Sequence, residues 1–479
     1  MSKQLKGVIL AFVAVLLLVG GLAAVLMLQP QEKPTETAKA ILLEQRPLGD
    51  LQSLTVTNAH GTYHIRQEDG GFLIEDIPTE LVNGDYLQMA VEEATTIAAL
   101  TTVEKASSDL SAYGLSQPEA TVEITYTDGE TIKLAIGAEE QIADARYFTI
   151  KGDSTVYLMD RARTIRFTMP VTKYIQYEIT PTRTLPSPLS VIKNITFSGS
   201  SLPEPIVIRE VRTKNEEEMR QAASFGVATH VIVSPVLHEL DQTSGGEVFQ
   251  SLLGLMSEGV VDYNCDEAQL AAYGFDKPWL EVEMEIQNGG DAPIENILLR
   301  ISHDAEGNLI CTKNTDGVVY KIRDVAFTKV AYEKLVMRWF LTPFITDLTE
   351  MTVASPEERY TFTFLGDGDN KKLGITCNGK QLDVDTFRKY YQLVISAAND
   401  GTFGAQAPAP QAQPLLTVTY RYRDAKKPDD VMKLYPGGTR RVWVEVNGIA
   451  EFTMRDTYTE KVLTATQSLL AGGAISTEW

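Results

Sequence analysis

Residues 112–118 read Ala112-Tyr113-Gly114-Leu115-Ser116-Gln117-Pro118, and the figure returns as Ala272-Tyr273-Gly274-Phe275-Asp276-Lys277-Pro278, its tyrosine 160 positions further on. Each copy runs into a strand-like segment, Thr121-Val122-Glu123-Ile124-Thr125-Tyr126 and Glu281-Val282-Glu283-Met284-Glu285-Ile286. A stretch that recurs together with its sequel marks a duplicated structural unit. Gly114 and Gly274 can take a positive φ, which a turn into a strand often needs. Pro118 and Pro278 suit the first position of a strand, where no ladder donor is required. Tyr113 and Tyr273 can bury a ring and keep the hydroxyl on a nearby backbone group. Leu115 and Phe275 would anchor the turn to a core. The motif therefore predicts a folded corner with Tyr113 and Tyr273 largely buried; the competing reading makes the tyrosines ligand contacts.

Working outward, the corner sits in a constant order of elements. Before it, Leu54–Thr57, Thr62–Ile65 and Gly71–Ile74 read as three short strands, and Asn83 can cap a helix whose Leu87, Ala90, Val91 and Ala94 form one apolar face. After it come further strands and a hairpin, Arg146–Ile150 and Thr155–Leu158, ending at Asp160. The second unit opens with Asn194–Phe197 and Pro205–Ile208. An acidic insertion, Asn215-Glu216-Glu217-Glu218, precedes the strand His230–Val233. The helical spacing then recurs at Phe249, Leu252, Leu253 and Met256, and the hairpin closes at Asp324. A third unit repeats the helix face with Phe387, Tyr390, Tyr391 and Val394 and the hairpin up to Asp456, but only Phe403-Gly404 resembles the corner. Asp160, Asp324 and Asp456 are placed to cap the segments that follow them. The expected class is α+β, with three tandem β-rich repeats of antiparallel strands and one main amphipathic helix each, at 48–180, 188–340 and 345–479.

Gly7 to Leu28 is 22 residues without a charge, preceded by Lys3 and Lys6. Such a run is long enough for a transmembrane helix, and the lysines place the N-terminus in the cytoplasm. Gly21-Leu22-Ala23 would suit a cleaved signal peptide, yet the apolar run continues past it. The expectation is an anchor over 1–29, a proline-bearing stalk over 30–47, and an extracellular bulk. A net charge of −21 argues against nucleic acid, whose phosphates require a basic face. Cys265, Cys311 and Cys377 are too few and too scattered for a disulfide framework or a zinc site.

The Tyr-Gly-Leu-x-x-Pro signature, its following strand and the hairpin ending in Val-Tyr resemble the bacterial domain-of-unknown-function family 4340. The resemblance covers most of Leu51 to Trp479 and is best at Tyr113 and Tyr273. It implies a single-anchor envelope protein with the domain repeated. It further implies a protein partner in the envelope, an ABC-type exporter among the candidates, and it supplies no catalytic residues.

Weighed for chemistry, the chain offers little. His60 and His64 flank a turn and have no third ligand nearby. Gly366-Asp367-Gly368-Asp369-Asn370 lacks the glutamate of a calcium loop and reads as a turn. Asp262 to Glu267 reads as a solvated loop, and Asn194-Ile195-Thr196 as part of a strand rather than a glycosylation acceptor. There is no phosphate loop and no Gly-x-Ser-x-Gly. No catalytic, cofactor or metal residue is expected. The favoured function is a non-catalytic binding or scaffold component, and the alternative is an extracellular hydrolase or glycan-binding protein using a carboxylate pair, which needs no fixed sequence spacing.

Overall fold

The computed structural model describes residues 40–211, 229–399 and 412–478. Strands dominate it, in three antiparallel sheets of eight, nine and eight strands and one two-stranded ladder. The first sheet runs Gly71–Ile74, Gly61–Glu68, Leu51–Asn58, Ala120–Tyr126, Thr131–Glu140, Ala145–Ile150, Val156–Asp160, Thr101–Glu104. The second runs His238–Glu239, His230–Ser234, Ile206–Glu210, Ile192–Ser198, Leu280–Ile286, Glu295–His303, Leu309–Lys313, Val319–Lys321, Gly259–Asp262. The third runs Lys380–Leu382, Gly374–Cys377, Arg359–Leu365, Leu348–Ala354, Leu416–Tyr422, Asp430–Pro436, Arg441–Val446, Ile449–Arg455. One plan generates all three. A meander runs to one edge, a helix follows, and the chain returns to pair with the meander's first strand before a second meander runs to the other edge.

That central pairing carries the same irregularity each time. Leu51 faces Tyr126 but Ser53 faces Thr125; Ile192 faces Ile286 but Asn194 faces Glu285; Leu348 faces Tyr422 but Glu350 faces Arg421. One extra residue, Gln52, Lys193 or Thr349, thus bulges at the same point of each sheet. Its effect is visible in burial. Leu51 and Leu54, Ile192 and Ile195, and Leu348 and Met351 are three apart yet all buried. In a regular strand, residues three apart face opposite sides. Beside each bulge the chain is closed by one more backbone bond, from Thr127 to Asp50, Gln287 to Val191 and Arg423 to Asp347, each 2.8 Å.

Against the buried face of each sheet lies a helix, Gly84–Thr95, Gln242–Leu252 or Val384–Val394. Each starts on a side-chain cap: Asn83 accepts from the Tyr86 amide, Asp241 from those of Thr243 and Ser244, and Asp383 from that of Thr386. Leu87, Ala90, Val91 and Ala94 are buried, as are Phe387, Tyr390, Tyr391 and Val394. The third helix packs its rings on Phe362 and Phe364, with Phe387 centroids 5.3 and 5.7 Å away. The middle helix differs from its expected face. It stops at Leu252, so Met256 lies beyond it and is 54% exposed, while Val248 takes an inward place.

Several expectations need correction. No helix among the described residues is long and apolar enough to cross a membrane. The segment Gly7–Leu28, on which the anchored, single-pass address with an extracellular bulk rested, lies outside the described residues, as do Asn215–Glu218 and Phe403-Gly404. The described fold is mostly β, four antiparallel sheets rather than a transmembrane helix followed by α+β repeats. The last part of the expected stalk is folded: Ile41–Gln45 pairs with Thr96–Ala99, and Arg46 lies over the Tyr126 ring at 4.2 Å while its guanidinium binds Asp128 and Glu130.

Contacts divide the chain into two compact units, Met1–Tyr174 with the first sheet and Ile175–Trp479 with the other two. Within the second unit a strap joins its two sheets. Leu335 accepts from the Asp241 amide and the Met337 amide donates to Glu239, at the entry of the second helix; three residues on, the Phe340 amide donates to Ala397 and Arg338 accepts from the Asn399 amide, at the exit of the third.

The double bond at Asp241 makes it the cap to test. Asp241→Ala should destabilise the full chain by about 0.5–2 kcal/mol in urea unfolding, the usual cost of removing such a cap. An unchanged midpoint would mean that the helix start is held by packing alone.

Candidate functional site

The two corners are near-copies. Leu110–Tyr113 is a single 3-10 turn, and Glu267–Ala272 a short helix with a capping box between Asp266 and Gln269. Each ends on a glycine in the left-handed region, φ +68° at Gly114 and +85° at Gly274. The Leu115 and Phe275 amides donate back to Leu110 and Leu270, and both side chains are buried. Pro118 and Pro278 stand two residues before their strands, which start at Ala120 and Leu280, rather than at the first strand position.

Tyr113 and Tyr273 are half-buried instead of largely buried, and their hydroxyls serve side chains rather than backbone. Tyr113 donates to Glu104 and Tyr273 to Asp262, each at 3.0 Å. Glu104 and Asp262 end the edge strands Thr101–Glu104 and Gly259–Asp262, so each tyrosine pins the edge of its sheet to its corner. The Glu104 carboxylate raises the Tyr113 pKa; burial and then Asp262 raise that of Tyr273. Both hydroxyls are thereby kept as donors. A side chain at either glycine would collide: a Cβ on Gly114 would stand 2.8 Å from the Ala138 amide nitrogen, and one on Gly274 2.8 Å from the Ser302 hydroxyl.

The recurring aspartates do not form one set. Asp160 caps Arg161–Thr168 through the Ala162 amide at 2.8 Å. Asp324 instead binds the Thr328 hydroxyl at 2.6 Å and Lys329 at 2.7 Å, and Asp456 makes no side-chain cap bond. The registers explain Asp324. Tyr157 pairs with Phe148 and Tyr320 with Cys311, so counting on from these tyrosines puts Arg323 in the place of Asp160 and Asp324 one residue beyond.

The remaining candidates scatter. His64 meets Thr55 at 3.0 Å, while His230 is buried with its ring against the Ile192 carbonyl at 2.8 Å. No three potential metal ligands cluster among the described residues. Asp369 turns its own loop, accepting from the Lys371 amide, and Asn370 is held by Arg388. The segment expected to be a solvated loop, Asp262 to Glu267, contributes the Tyr273 acceptor and a helix cap, a role the Asp266-x-x-Gln269 spacing could have revealed. Burial raises the pKa of two carboxyls, Glu93 and Asp316. Glu93 is held by Arg163 and Arg166, and Asp316 by Tyr320 and the Val318 amide. Each is occupied by its own partners.

One constellation was missed. Within the second unit, Glu451 of the third sheet receives His238 of the second sheet at 2.7 Å on one oxygen and the Tyr332 hydroxyl at 2.8 Å on the other. The His238 ring leans edge-on against buried Phe452, 5.8 Å between centroids. Burial first, then Glu451, raises the Tyr332 pKa far above the usual phenol range. Tyr332 therefore stays protonated as a donor. With both carboxylate oxygens engaged, the group bridges two sheets. Beside it, Leu202, Ile206, Val236 and Val330 line a cleft of about 580 Å³ that reaches Tyr332 and Glu451.

Residues 79–182 match the family model of a domain of unknown function, DUF4340. The DUF4340 match takes in the first amphipathic helix, the Tyr113 corner and the strands after it, and it begins beyond Leu51–Asn58, the strand with which Ala120–Tyr126 pairs. No curated protein and no solved structure matches the chain.

Both corner glycines carry positive φ, so substitution by alanine should cost about 1–3 kcal/mol. Gly114→Ala should cost more than Gly274→Ala, because its Cβ meets fixed backbone whereas the Ser302 hydroxyl can swing aside. Equal losses in urea unfolding would refute that distinction. The three cysteines are free and buried. Burial pushes the Cys265 and Cys377 thiols from 9.0 up to about 11. For such a group the stability is fully present below pH 9 and is lost as pH rises through 11. Unfolding midpoints should therefore fall between pH 9 and 11, and less so in a Cys265→Ser, Cys377→Ser variant; an identical fall in both would assign the loss to other groups.

Proposed function

We propose that this protein is a non-catalytic binding or scaffold component, its repeated sheets bracing or engaging another protein. One observation carries the reading: among the described residues, the polar groups brought together at the corners and the junction hold sheet elements in place. Tyr113 with Glu104 and Tyr273 with Asp262 lock two edges. Glu451 spends both oxygens on joining its sheet to His238 and Tyr332. A hydrolytic carboxylate pair needs one acid and one base free to face a substrate, and Glu93 and Asp316 are each turned to arginine, tyrosine or backbone donors. The partner suggested by the family resemblance, a component of an ABC-type exporter, belongs to this proposal.

Chemical crosslinking of the full chain in the cells that produce it, followed by affinity capture, should retain one partner protein at fixed stoichiometry. The reading fails if the purified chain hydrolyses a glycan or ester and Glu451→Gln abolishes that activity while the fold is retained.

A further inference from the structure

We infer that the cleft beside Glu451 is a docking site for a short segment of a partner protein, one carrying lysine or arginine among aliphatic side chains. This deepens the binding reading above and rests on it. The cleft lies wholly within the second unit. The turn Ser201–Glu204, Ile206, Pro235, Val236 and the segment Val330–Glu333 line it. Its volume of about 580 Å³ falls within the range of sites that enclose a drug-sized ligand, ~300–1,000 Å³. It therefore takes a few residues rather than a folded domain.

Charge selects among possible segments. Three glutamates line this apolar space, Glu204, Glu333 and Glu451, and among the described residues no lysine, arginine or histidine does. Glu451 already has an oxygen engaged by each of its two partners. Of the other two, Glu204 is exposed and Glu333 half-buried. A polar segment would lose its hydration against Leu202, Ile206 and Val236, and an acidic one would also meet like charge at the glutamates. An aliphatic segment with one cation gains on both counts: its apolar side chains cover Ile206 and Val236, and the cation meets the lining carboxylates in a setting less screened than open water. A cationic stem can also lie along the apolar wall while its head reaches a carboxylate. The net charge of −21 adds long-range attraction for the same partner.

The probe is a fluorescein-labelled hexapeptide of alternating lysine and leucine, titrated with the full chain by fluorescence anisotropy. The expected result is binding at least tenfold tighter than for the same peptide with glutamate in place of lysine, weakening as salt is raised. Ala331→Trp fills the cleft and should abolish it. Glu204→Lys with Glu333→Lys leaves the apolar walls intact and should reverse the preference between the two peptides, which keeps the test decisive if the tryptophan variant fails to fold. Equal binding of both peptides overturns the inference, and so does unchanged affinity in either variant. Displacement by hexylamine at the peptide's own concentration overturns it in favour of a small amine. If crosslinking captures the same partner from the Ala331→Trp chain as from the wild type, the cleft is not the docking site while the scaffold reading stands. If the peptide binds as expected and the wild type captures no partner, the scaffold reading itself falls.

Discussion

Each sheet depends on one long-range pairing, that of its first strand with the strand after the helix. Leu51–Asn58 must find Ala120–Tyr126, Ile192–Ser198 must find Leu280–Ile286, and Leu348–Ala354 must find Leu416–Tyr422. Bringing such distant segments together costs loop-closure entropy before any contact repays it. The repayment is concentrated at the centre of the sheet, where Leu54, Val56, Val122 and Ile124 in the first sheet, and their counterparts in the others, are buried. The bulge belongs to this pairing. It turns one further apolar residue, Leu51, Ile192 or Leu348, inward at the end of the strand where the helix packs. The rest is placed by this join. The corner glycines are tight because the strand beyond the join comes back past them, and the tyrosines can reach an edge carboxylate because that edge is built on the second meander.

Much of this order is written in the chain, though some of it is easy to overlook. The strands alternate, the helix faces at Leu87 and Phe387 have the right spacing, and the glycine corners repeat. The bulge also has a signature: Leu51-x-x-Leu54-x-Val56, Ile192-x-x-Ile195-x-Phe197 and Leu348-x-x-Met351-x-Val353. A strict two-residue alternation discards the first apolar residue of each, because a period of two cannot contain a three-residue step. The middle helix was overextended for a related reason. Met256 keeps helical spacing with Leu252 and Leu253, but Gly254 adopts φ +72° between them, and the chain has left the helix. Spacing alone does not register a change of backbone conformation.

The polar constellation was illegible for a different reason. Glu451 is 213 residues from His238 and 119 from Tyr332. Comparing repeats finds groups that recur, and this group does not: His238 and Tyr332 belong to the second repeat, Glu451 to the third, and they meet where the strap Leu335–Phe340 bonds the two sheets. The corner tyrosines, by contrast, stand out in the sequence, but their partner does not. A phenol near a turn can be satisfied by backbone, but here the edge strand ends on a carboxylate within reach, and the charged acceptor makes the stronger hydrogen bond.

Recurrence and singularity therefore carry different information in this chain. A feature present in every sheet, such as the bulge or the capped helix, is explained by the folding problem that every sheet must solve. It would be there whatever the protein bound. A feature that occurs once has no such explanation. Glu451 sits on the edge strand of the third sheet, and its neighbours across the junction are a histidine and a tyrosine that have no repeat-derived reason to be there. Joining two sheets by packing alone would need only apolar side chains, and a partly buried carboxylate has a desolvation cost that its two hydrogen bonds must offset. Fixing the carboxylate in one orientation fixes one lining group of the adjoining cleft as well. Two of the side chains that hold the junction, Tyr332 and Glu451, thus also line the cleft where apolar side chains and carboxylates meet.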